Sequence, residues 1–159
     1  NIQKFIDKIM SNSLFVWTGI SRKSEIILKS QNSNIKKKLF ESEMLKIKDI
    51  CKNVYDEISN YNGTNFNYLR NFFIGNLNDT WAIKQSLHKD MTNLRINKII
   101  KIINFYCKNE IGIKLLGAGA GGFIMITGIK DTNLLKKNLL KKKILSFDTS
   151  IDKKGSIYL

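Results

Sequence analysis

Residues 114–122 read Lys-Leu-Leu-Gly-Ala-Gly-Ala-Gly-Gly, and no other stretch constrains the chain as strongly. Four glycines in six positions, with only Ala between them, leave backbone N–H groups open to a polyanion and allow positive φ. Ile111 to Leu116 before the run and Phe123 to Ile129 after it are apolar and β-compatible, so it reads as a hinge between two strands. Two familiar phosphate motifs fail on context. Gly117-x-Gly119-x-x-Gly122 has the dinucleotide spacing, but that fingerprint must open a helix and be followed about 20 residues later by an acid. Here a strand pattern follows, and positions 136–143 hold only Lys, Leu and Asn. A Walker A loop needs Gly-Lys and then Ser or Thr, and this segment has no such triplet. A phosphate-cradling loop and a tight interstrand turn remain, although a simple hairpin rarely needs so many glycines.

The rest of the chain surrounds this hinge with helices. Ser13 to Trp17 is an aromatic and β-branched run ending at Thr18-Gly19, a buried strand entering a turn. Ser21 or Ser24 can cap a helix to about Gln31, and the polar stretch Ser30 to Asn34 breaks it. Apolar residues from Leu39 to Ile58 recur mostly at spacings of three and four, predicting a long amphipathic helix over 35–59. Asn62-Gly63 supplies a turn, a helix follows over 66–87, and Thr92 or Asn93 caps another carrying Ile96, Ile99, Ile100 and Ile103 on one face. Asp131 or Thr132 caps a helix to about Lys142; Ile144 to Asp148 and Ser156 to Leu159 read as terminal strand. The order strand, helices, strand, strand, helix, strand predicts an α+β fold. Its ferredoxin-like antiparallel sheet carries helices on one face and an enlarged helical first crossover.

A length of 159 residues suits one domain over 1–159. The chain opens on Asn1 with no signal-type segment, which reads as a cut within a longer protein. The longest apolar run, Phe123 to Ile126, is far short of a membrane span. The net charge of +14 would suit an anionic polymer, but only Arg22, Arg70 and Arg95 of the 27 basic residues are Arg. Abundant Lys, Asn and Ile with no Pro instead match translation from an AT-rich genome, and neither nucleic acid nor membrane is expected as a partner. Cys51 and Cys107 form no C-x-x-C or zinc half-site, so both are expected as buried, reduced thiols in a cytoplasmic protein. The lone His88 cannot build a metal site and is assigned to a surface or helix end.

Lys-x-x-Gly-Ala-Gly-x-Gly-Gly followed by an apolar strand resembles the third conserved motif of the GHMP kinases, the group of galactokinase, homoserine kinase, mevalonate kinase and phosphomevalonate kinase. That motif lies in their C-terminal domain and is expected beside the ATP phosphates, which by resemblance implicates Lys114, Gly117, Ala118, Gly119, Ala120, Gly121 and Gly122. Many members have Gly where this chain has Ala120. Leu14-Phe-Val-Trp-Thr-Gly-Ile-Ser-Arg22 resembles the Thr-Gly-x-x-Arg segment of the heptose-phosphate kinase branch, pointing to Thr18, Gly19, Ser21 and Arg22 as substrate-binding. Trp81-x-x-Lys84 and Thr92-Asn93 are similar to further elements of that branch.

The resemblance implies an ATP- and Mg²⁺-dependent kinase acting on a sugar phosphate, D-glycero-D-manno-heptose 7-phosphate being the specific expectation. This chain would form its C-terminal domain, inactive alone, working with the N-terminal half of the same enzyme. That half's serine- and glycine-rich ATP loop does not occur here, so no catalytic residue is placed in this chain; Asp79 and Asp90 are read as caps or solvated. Arg22, after the first strand, is expected to grip the substrate phosphate bidentately. Two alternatives stay open. One is a GHMP kinase with another small acceptor; the other is a basic binding module using Lys136, Lys137, Lys141, Lys142 and Lys143.

Overall fold

A computed structural model describes residues 2–21, 40–87, 91–117, 119–152 and 155. The elements are α1 (Ile2–Ser11), β1 (Ser13–Trp17), α2 (Glu41–Ser59), α3 (Phe66–Ser86), α4 (Leu94–Cys107), β2 (Gly112–Leu115), β3 (Phe123–Thr127), α5 (Thr132–Lys141) and β4 (Ser146–Asp148). The four strands form one sheet in the order β2-β3-β1-β4, every neighbouring pair antiparallel. This is the expected α+β fold, with α2, α3 and α4 filling the enlarged crossover between β1 and β2.

Period-two alternation decides the two faces of the sheet. Leu14 and Val16 of β1, Ile113 and Leu115 of β2, and Ile124 and Ile126 of β3 point into one core. Ile96, Ile99 and Ile103 of α4, Leu135 and Leu139 of α5, and Trp81 of α3 cover them. Spacings of three and four within α4 put its isoleucines on a single stripe, and each fully buried Ile contributes about 1.5–3 kcal/mol. On the opposite face Phe15, Trp17, Phe123 and Phe147 form an aromatic cluster, with Trp17 and Phe123 centroids 4.9 Å apart.

Side chains fix the helix ends and the sheet edge. Asn93 caps α4 by accepting from the Ile96 N–H at 3.0 Å, and Asp131 caps α5 by accepting from Leu134 at 2.8 Å. The Asn78 amide of α3 donates to the Ile111 carbonyl and accepts from the Ile113 N–H, so a side chain occupies the free edge of β2.

Three expectations change. No element is assigned to 2–11 from the sequence, yet these residues form α1, whose Phe5 and Ile9 join Leu69 in a satellite cluster. The amphipathic pattern of α2 predicts a core helix, but none of its residues is buried, and Met44, Leu45 and Tyr55 are exposed. Its main packing partner is α3, so its apolar face meets a helix rather than the sheet. The expected burial of both thiols fails at Cys51, which lies exposed on α2, while Cys107 is half-buried. The predicted helix after Ser21, the break at Ser30 to Asn34, the first residues of the 35–59 helix, His88, Asp90 and the strand at Ser156 to Leu159 lie outside the described residues.

Burial pushes the Cys107 thiol above its ordinary value, which lowers its thiolate fraction at neutral pH. Iodoacetamide should therefore modify Cys51 about tenfold or more faster than Cys107. Peptide mapping of a time course checks this, and equal rates would contradict the packing of α4.

Candidate functional site

The glycine loop joins β2 to β3 and is closed at its base by the Leu116 N–H donating to the Phe123 carbonyl at 2.8 Å. Its far side is held by the segment that leaves β1. The Thr18 N–H donates to the Gly122 carbonyl at 3.0 Å, and the Thr18 hydroxyl donates to the same oxygen at 2.7 Å. The Gly122 N–H in turn donates to the Ile20 carbonyl at 3.0 Å. Two motifs about a hundred residues apart thus form one structure, because the β1–β3 register, with Trp17 opposite Phe123, brings their ends together.

A third strut comes from the residues entering α4. The Ala120 N–H donates to the Met91 carbonyl at 2.8 Å, and the Asn93 side-chain amide donates to the Ala120 carbonyl at 3.1 Å. Asn93 therefore caps α4 and anchors the loop with one side chain, and the positive end of the helix dipole lies beside the glycines. Gly119 is needed where it stands: at φ +97° a Cβ would run into the Met91 sulfur and come within 3.2 Å of the Met91 carbonyl oxygen. Ala120 adopts φ 57°, a left-handed conformation that costs a residue with a Cβ about 1–2 kcal/mol.

The loop leaves donors unused. Gly119 and Gly121 are both buried, and among the described residues neither donates its N–H to a protein acceptor. Buried backbone amides are seldom left unpaired, so two in one turn are an exception in this chain.

The predicted site residues divide as follows. Thr18, Gly19, Gly119, Ala120, Gly121 and Gly122 are brought together. Thr18 is fully buried with its hydroxyl committed to Gly122, so it positions the loop. Gly117 begins the turn and is exposed, and Ser21 is exposed beyond Ile20. Lys114 sits on β2 opposite Met125, below the loop. Arg22 and Ala118 lie outside the described residues. Among the described residues no group of three His, Cys, Asp or Glu could hold a metal ion, and no helix is long and apolar enough to cross a membrane.

Arg95, in the first turn of α4, carries a role that the sequence did not signal. Its Nε donates to the Thr18 carbonyl at 2.6 Å, and its guanidinium lies over Gly19, where an added Cβ would collide with it. Glycine at position 19, with φ +73°, makes room for that group. The side chain is exposed, and among the described residues no carboxylate pairs with it. The contact spans 77 residues, so local pattern could not reveal it.

No protein-family model and no curated protein matches the sequence. Among solved structures the chain is similar to Streptococcus pneumoniae phosphomevalonate kinase in complex with phosphomevalonate and AMPPNP, with a TM-score of 0.62 at 13% identity. The match covers 90% of this chain and 41% of that one. It is also similar to L. major mevalonate kinase in complex with R-mevalonate, with a TM-score of 0.60 at 15% identity, covering 88% of this chain and 43% of the other. The chain has the fold of a GHMP kinase domain and spans about two-fifths of the length of each of these kinases.

The loop geometry predicts two opposite stability changes. Gly119→Ala should destabilise the chain by about 1–3 kcal/mol through strain and collision with Met91. Ala120→Gly removes the left-handed penalty but adds about 0.5–1 kcal/mol of chain entropy, for a net gain of up to about 1 kcal/mol. Urea denaturation of both variants measures the pair.

Proposed function

We propose that this chain is the C-terminal, phosphate-loop and substrate domain of an ATP-dependent kinase of the GHMP type that acts on a sugar phosphate. D-glycero-D-manno-heptose 7-phosphate, phosphorylated at its anomeric hydroxyl, is the specific acceptor in this reading. The carrying observation is the pair of buried amides of Gly119 and Gly121, unpaired among the described residues, in a loop held from three sides. Phosphoryl transfer depends chiefly on positioning and on donors aimed at phosphate oxygens, and a pre-set loop supplies both at little reorganisation cost. ATP fits this donor set, and Mg²⁺ would reach the site with the nucleotide phosphates.

The heptose-phosphate branch rests on the resemblance of the Thr-Gly-Ile-Ser segment, which runs from β1 directly against the loop. Arg95 joins it as a guanidinium in contact with that segment, with Nη groups available to a substrate phosphate. Arg22 keeps its role here as the second such group. The nucleotide loop and the general base are assigned to the N-terminal half of the same enzyme, and Asp79 stays an exposed residue on α3. A mevalonate-type acceptor is the nearest alternative, favoured by the R-mevalonate and phosphomevalonate held by the two similar structures. The lysine cluster supports a binding module less well: Lys136 is engaged by Asp148, with Nζ 2.8 Å from both carboxylate oxygens.

The test uses the longer protein that contains this chain. ADP release should depend on both ATP and the heptose 7-phosphate. Arg95→Ala should raise the KM for the sugar phosphate about tenfold or more, as expected for lost charge-assisted hydrogen bonds, while the KM for ATP stays within about threefold. Turnover of mevalonate in place of the sugar phosphate would overturn the heptose assignment. Absence of any acceptor-dependent ADP release would overturn the kinase reading.

A further inference from the structure

A cavity of about 210 Å³ lies between α2, α3 and β2, adjoining the glycine loop at Met91 and Gly117. Met44 and Ile47 of α2, Trp81 of α3, Met91 and Leu115 give it apolar walls, and Gly117 forms part of its rim. Liquid water takes about 30 Å³ per molecule, so the space suits a ligand of roughly six to ten heavy atoms. Among the described residues its one charged lining group is Lys84, one helical turn beyond Trp81.

Lys84 is half-buried, and among the described residues its ammonium makes no hydrogen bond or ion pair. The charged group acting on it most strongly is another cation, Lys114; Cys51 faces it from α2. Desolvation first, and Lys114 second, make its ammonium easier to deprotonate than an ordinary lysine. A half-buried cation under the influence of a like charge, and without a counterion among the described residues, is left wanting an anion. The apolar walls disfavour a bare hydrated phosphate, and the ammonium disfavours a wholly neutral guest.

We propose that this cavity binds a small amphiphilic anion, with its carboxylate or phosphate head on Lys84 and a short apolar body between Met44, Trp81 and Met91. Such a ligand also touches the glycine loop at two points. Gly117 is at the rim, and Met91 both accepts from Ala120 and fills the space beside Gly119. Occupancy therefore braces the loop from behind. The site does not depend on the kinase reading, since its anion anchor, Lys84, is not among the residues assigned to the phosphate loop, although Gly117 and Met91 link the two.

Titration calorimetry of the 159-residue chain with hexanoate, hexyl phosphate, hexanol and inorganic phosphate tests the proposal, with methyl NMR of labelled methionine locating the site. At least one of the two anions should bind about tenfold or more tighter than both hexanol and inorganic phosphate, and the preferred head distinguishes carboxylate from phosphate. The Met44 and Met91 methyl signals should shift. Lys84→Gln should remove the advantage of the anion over hexanol. Met44→Glu, on a helix with no buried residue, should do the same by supplying an internal counterion. Raising the pH toward the ordinary lysine range should weaken anion binding and leave hexanol unchanged. Equal binding of anions and hexanol, undiminished anion binding by folded Lys84→Gln, or shifts confined to other methionines would overturn it.

Discussion

The two hydrogen bonds that Thr18 sends to the Gly122 carbonyl fasten the end of β1 to the start of β3, and the site is built around that junction. The β1–β3 pair is the centre of the sheet, with five residues in register from Ser13 opposite Thr127 to Trp17 opposite Phe123. Extending the ladder by one residue through a buried hydroxyl carries the order of the core into a loop that would otherwise be free to fluctuate. Without it, the glycines would have little to oppose their large conformational entropy.

From that junction the support spreads to α4. Met91 and Asn93 hold Ala120 from one side, and Arg95 holds Thr18 from the other, so the entry to one helix braces both strands of the junction. Among the described residues the loop keeps two buried amides unpaired while the segments that hold it are hydrogen-bonded. Such an arrangement places rigidity in the scaffold and leaves donors free in the loop itself.

Much of the fold was legible in the sequence because its signals are local. Alternation in Ser13 to Trp17 and Phe123 to Thr127, the helical stripe Ile96, Ile99 and Ile103, and the caps Asn93 and Asp131 depend on residues within one or two turns of each other. The α2 stripe misled because periodicity reports an apolar face and not what covers it. The face meets α3 and solvent, leaving Met44 and Leu45 exposed and Cys51 accessible. The α1 helix was passed over although Phe5 and Ile9 have helical spacing, since its burial depends on Leu69 and its neighbours far along the chain.

The sequence by itself determined the glycine loop, the strand and helix order, and the residue types available for holding an anion. Only the tertiary structure decided which of those residues meet. It placed Arg95 over Gly19, Asn78 on the edge of β2, and Lys84 under the electrostatic influence of Lys114, across separations of tens of residues. Local propensity acts over a few residues, whereas these meetings follow from strand register and helix packing, which depend on the whole core closing at once.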